Sequence, residues 1–119
     1  MREIEMILRT MLLLVLLVTA PAAKAHSPLV ATMPADGAVL AAAPDSLQLT
    51  FKGIARLARL SLARDGADIP LDMDHLMQKA TQHNVPLPAL ADGRYKVRWR
   101  ALSADGHVIK GTFAFTVGN

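Results

Sequence analysis

Tyr95–Val117, YKVRWRALSADGHVIKGTFAFTV, decides how this chain folds. Tyr95, Val97, Trp99 and Ala101 alternate with Lys96, Arg98 and Arg100, a period of two that turns apolar side chains to a core and charged ones to water. After Ser103-Ala104-Asp105-Gly106-His107 the alternation resumes, with Ile109, Gly111, Phe113, Phe115 and Val117 against Lys110, Thr112, Ala114 and Thr116. Two alternating runs joined by a short segment holding Asp-Gly read as a β-hairpin, because glycine can take the positive φ that such a turn needs.

The same signals recur toward the N-terminus. Leu47, Leu49 and Phe51 alternate with Gln48 and Thr50, and Leu60 and Leu62 alternate with Arg59, Ser61 and Ala63. Asp36-Gly37, Asp65-Gly66 and Asp92-Gly93 repeat the turn pair, and Pro34, Pro44, Pro70, Pro86 and Pro88 punctuate the chain. Short strands at this spacing predict an all-β chain, a small antiparallel sandwich. Residues 71–90 carry no such alternation and read as a long, partly irregular connection.

With 119 residues the chain has room for one domain. It has no cysteine, so it has no disulfide, no thiolate metal site and no cysteine nucleophile. The formal charge of +3, without a basic run or an aromatic platform, gives no support for nucleic-acid binding. Neither a phosphate-binding glycine loop nor a nucleophile–base pair is present, which argues against nucleotide enzymes and hydrolases. Lys96, Arg98 and Arg100 read as a solvated face, or as one that attracts an acidic partner surface.

Mean hydropathy is +0.30, and the excess sits at the N-terminus. Arg2 and Arg9 precede an apolar run, Met11–Ala20, followed by Pro21 and by Ala23-Lys24-Ala25. A positive start, an apolar middle and a small-x-small site are the order of a secretory signal peptide. The run is about half the roughly twenty residues that a bilayer-spanning helix requires. Residues 1–25 are therefore expected to be removed, leaving a domain over residues 26–119. Ala20-Pro21-Ala22 offers a second possible cut.

Cleavage after Ala25 makes His26 the first residue. Its α-amine and imidazole can then chelate one metal, and nitrogen donors favour Cu(II) among divalent ions. Pro28, lacking an N–H, blocks a chelate that continues along the backbone amides. Further ligands must come from elsewhere, and Asp105 and His107 are the best placed, two residues apart around Gly106. Read alone, that hairpin is an ordinary Asp-Gly turn with an exposed histidine; beside an N-terminal His26 it becomes a metal-site candidate. Met73, His75 and Met77 offer soft thioether and imidazole donors suited to Cu(I), or are simply edge and loop residues. His83 fits no constellation.

The opening HSPLVATMPADGAVLAAAP (His26–Pro44), the LQLTF segment, and the pattern W-R-x-x-S-x-D-x-H-x-x-x-G over Trp99–Gly111 together resemble the CopC family of periplasmic copper-binding proteins. The resemblance implies a small Greek-key β-sandwich or barrel, immunoglobulin-like with cupredoxin-like topology. It implies Cu(II) held by His26, Asp105 and His107, no enzymatic activity, and a role in copper homeostasis or resistance. It also implies an inner-membrane partner of the CopD type and other periplasmic copper carriers. One departure stands out: Gly53 occupies a position where some members carry Glu, and no Glu lies beyond residue 5. Two alternatives to a copper carrier are a metal-free immunoglobulin-like interaction module and a copper-dependent oxidative enzyme. One Trp and one Tyr give the latter little aromatic surface for a sugar chain.

Overall fold

A computed structural model describes residues 28–74 and 76–118. Seven strands run in chain order: β1 (Leu29–Met33), β2 (Ala38–Leu40), β3 (Ser46–Arg64), β4 (Ala67–Ile69), β5 (Lys79–Pro86), β6 (Gly93–Ser103) and β7 (Val108–Val117). They hydrogen-bond as one curled sheet in the order β1-β3-β6-β7-β2, with β4 and β5 also on β3. The fold is all-β and of the β-sandwich class.

The two LQLTF and RLSLAR segments belong to one strand. β3 is 19 residues long and serves both halves of the sandwich. Its first part, near Ser46–Phe51, lies between β1 and β5; its second, Ala55–Arg64, pairs with β6 and, at its end, β4. Two irregularities make that possible. Between Thr50 and Ala55 the register against β5 shifts, and the chain bends there. At Ala58 a bulge inserts one extra residue between the pairs Leu57↔Ala101 and Arg59↔Arg100. A one-residue insertion flips the inward face. Leu47, Leu49, Phe51, Ala55 and Leu57 point inward at odd positions before it, and Leu60 and Leu62 at even positions after it.

The inward residues of both halves meet in a single core. Leu47, Leu49, Phe51, Leu57, Leu60 and Leu62 of β3 join Val85 of β5, Tyr95, Val97, Trp99 and Ala101 of β6, and Phe113, Phe115 and Val117 of β7. Burying each large aliphatic or aromatic side chain contributes about 1.5–3 kcal/mol, which compensates for the missing disulfides. Phe51 meets Trp99 edge-on at 5.5 Å, and Tyr95 stacks on Phe115 at 5.2 Å. Buried Tyr95 donates its hydroxyl to the Ala91 carbonyl at 2.5 Å, the corner bond of Greek-key sandwiches. Gly111 faces Trp99 across the β6–β7 pair; a Cβ there would lie 2.7 Å from the indole Cζ2.

The Asp-Gly pairs act as turns. Asp65 and Gly66 have φ of 48° and 87° and link β3 to β4 in two residues, the left-handed geometry of a tight hairpin. Two expectations need correction. Residues 71–90 are not a connection throughout, since Lys79–Pro86 forms β5 against β3. Only His83 and Val85 of that strand are buried, so its alternation is too polar to register as a strand. The sheet is also not wholly antiparallel: β2 runs parallel to β7.

Candidate metal centre

The β6–β7 hairpin that carries Asp105 and His107 is set by its own hydrogen bonds. Ser103 and Val108 end the strands, and Gly106, at φ 86°, turns the chain. The Gly106 amide donates to the Ser103 carbonyl at 2.9 Å, and the Ser103 amide to the His107 carbonyl at 2.9 Å. The Ser103 hydroxyl donates to Asp105 Oδ1 and accepts from the His107 amide at 3.2 Å. The sequence motif contains Ser103, yet only the structure shows that it holds the Asp105 carboxylate.

Asp105 and His107 come together as expected. Asp105 Oδ2 lies 2.7 Å from His107 Nδ1, with side chains 66% and 80% exposed. The bonds from the Ser103 hydroxyl, then from the His107 ring and amide, hold the Asp105 carboxyl at about 2, below its usual 3.8. The carboxylate is thus anionic at neutral pH. In the neutral ring with Nδ1–H directed at Asp105, Nε2 carries the lone pair. An imidazole nitrogen beside a fixed carboxylate is a donor set suited to Cu(II).

Among the described residues no group of three or more His, Asp or Glu side chains converges. The hairpin thus brings together two potential donors, Asp105 and His107. His26, the third expected ligand, and the expected signal segment lie outside the described residues, as does His75. Met73 and Met77 stand about half exposed between β4 and β5. Gly53 lies at the β3 bend with open space where a Cβ would be.

His83, which had no role in the sequence reading, is buried on β5. Its Nε2 lies 3.0 Å from the Ala55 carbonyl and 3.1 Å from that of Ala80, and its ring meets Phe51 edge-on. It pins the bend of β3 and points away from any metal chemistry.

The CopC domain family matches residues 29–118, nearly all of the described chain. This chain belongs to the CopC family. It is 32% identical over 107 residues to copper resistance protein C of Escherichia coli, covering 80% of this chain and 83% of that one. It is 28% identical over 118 residues to the copper transport protein CutJ of Bacillus subtilis, covering 90% of this chain. It spans only 21% of the length of CutJ. The fold superposes on the crystal structure of CopC from Methylosinus trichosporium OB3b with a TM-score of 0.61 at 30% identity, over 77% of this chain and 93% of that one. PcoC, a methionine-rich copper resistance protein from Escherichia coli, gives 0.60 at 27% identity, over 78% and 99%. Copper resistance protein C, CutJ and PcoC are named for copper resistance or transport. The W-R-x-x-S-x-D-x-H motif of this CopC chain is the end of β6 and the hairpin that follows it.

Proposed function

We propose that this chain is an exported periplasmic protein that binds Cu(II) through His26, Asp105 and His107 for copper homeostasis or resistance. Removal of residues 1–25 would free the His26 α-amine, so amine and imidazole enter the site together. His107 would add an imidazole nitrogen and Asp105 a carboxylate oxygen, the ion taking the place of the proton between them. The bound ion is cargo, passed to an inner-membrane protein of the CopD type or to other periplasmic carriers. The observation that carries this reading is the Asp105–His107 pair, an imidazole and a carboxylate 2.7 Å apart on an exposed hairpin of a CopC-family chain.

The test is Cu(II) titration of the exported protein against a competing chelator, with its N-terminus fixed by mass spectrometry. His26→Ala and His107→Ala should each weaken Cu(II) binding by at least about tenfold to a hundredfold, the loss typical when a metal site loses even a supporting group. Paramagnetic resonance should show a tetragonal signal with two or three nitrogens and an oxygen. Affinity that survives both substitutions, or a mature chain beginning upstream of His26 that binds equally well, would refute the ligand set.

A further inference from the structure

The outer face of the β3–β6–β7 sheet carries cations in register. Arg59 of β3 lies directly opposite Arg100 of β6, and Arg100 opposite Lys110 of β7. The next row is Ser61, Arg98 and Thr112, and Lys96 lies beyond it between Ala63 and Ala114. Arg59, Lys96, Arg98, Arg100 and Lys110 are all exposed. Like charges directly opposite each other weaken a sheet. None of these five is relieved by a carboxylate: the ion pairs among the described residues are Arg64–Asp65 and Asp105–His107. The fold thus gathers positive charge on one face with no ion pair among the described residues to these five.

These rows line a groove of about 730 Å³, with Arg59, Arg98, Arg100 and Lys110 around it and the Ser61 and Thr112 hydroxyls between them. Asp68 is its one carboxylate. We propose that this groove docks an acidic, Asp/Glu-rich segment of a partner protein. Three of its four cations are arginines, whose planar fork pairs with carboxylates in bidentate fashion. The hydroxyls can meet backbone or carboxylate oxygens of the same segment. A concave site receives a protruding peptide and leaves a flat lipid surface out of contact. The charge concentrated on one face would also steer such a partner during encounter. β6 and β7 run from the groove into the Asp105–His107 hairpin, so a seated segment brings its protein alongside that hairpin.

The experiment uses the exported protein, metal-free in the presence of a chelator, and a fluorescein-labelled glutamate hexapeptide read by anisotropy and by amide chemical shifts. Binding at low ionic strength should weaken steeply as salt shortens the Debye length toward about 8 Å. The shifts should map to β3, β6 and β7 around Arg98 and Arg100. Arg59→Glu combined with Arg100→Glu should weaken binding at least about tenfold, with far-UV circular dichroism confirming the fold. Arg100→Gln with Lys110→Gln, a milder change, should give an intermediate loss. No measurable peptide binding, unchanged binding in the folded double variants, or shifts mapping to another face would overturn the proposal. Binding of phosphatidylglycerol vesicles through the same residues, without peptide binding, would also overturn it and assign the face to a membrane.

Discussion

Replacing His83 with Leu probes the residue that ties the sandwich together at its bend. The imidazole Nε2–H is shared between the Ala55 carbonyl at 3.0 Å and the Ala80 carbonyl at 3.1 Å, one on each strand where the β3–β5 register shifts. Leucine fills much of the space and supplies no donor. The Ala55 carbonyl, bonded in a buried setting, would then lose its side-chain partner at a cost of about 1–3 kcal/mol. The Ala80 carbonyl is part-buried and can turn to water, so it adds little. Loss of the edge-on contact with Phe51, at 5.7 Å and 82°, removes about 0.5–1.5 kcal/mol more. The sum is about 2–4 kcal/mol, a large share of the roughly 5–15 kcal/mol typical of a domain. For a domain of this size the melting midpoint should fall by roughly 10–25 °C. Urea unfolding, followed by Trp99 fluorescence and far-UV circular dichroism with a chelator present, gives the midpoint and slope. The midpoint should drop while the slope holds. His83→Gln retains an N–H donor and should recover about 1 kcal/mol of the loss. A Leu variant within about 0.5 kcal/mol of the parent, the range of ordinary surface substitutions, or a Gln variant no better than Leu, would refute the assignment of His83 as the pin of the bend.

Three further outcomes follow from the geometry. Because the folded Asp105 carboxyl titrates at about 2 and the ordinary value is 3.8, its contribution to stability is present above about pH 4 and fades as pH falls toward 2. A carbon-detected titration of Asp105 should show the low midpoint, and Ser103→Ala should move it upward; an unmoved midpoint would remove Ser103 as the main cause. Tyr95→Phe deletes the hydroxyl bond to Ala91 and should cost about 1 kcal/mol in urea unfolding, with no change expected in Cu(II) titration. Gly111→Ala forces a methyl against the Trp99 ring and should cost about 1–3 kcal/mol, with a shift in Trp99 emission; an unshifted spectrum would mean that the ring does not lie over Gly111.

The hairpin was legible because its physics is local. Alternation over Tyr95–Ala101 and Phe113–Val117 determines which side chains face the core, and Asp105-Gly106 determines where the chain turns. The closeness of Asp105 and His107 follows from that turn alone. β5 was illegible for the opposite reason. Lys79–Pro86 places only His83 and Val85 inward, and His83 becomes a core residue only because β3 bends and exposes carbonyls for it to meet. Similarly, Leu47–Phe51 and Leu60–Leu62 read as separate strands because their inward positions change parity. The bulge at Ala58, which makes them one strand, is defined by pairing with β6, a partner distant in sequence.

By itself the sequence determined the all-β class, the hairpin with its two candidate donors, the Asp-Gly turns and the family resemblance, all of which rest on residues close together along the chain. The tertiary structure alone decided that one long strand serves both halves of the sandwich, that Ser103 holds the Asp105 carboxylate, and that His83 pins the bend. It also decided that Arg59, Arg100 and Lys110 stand side by side. Those features depend on which strands pair and in what register, and burial and hydrogen bonding between distant segments set that register.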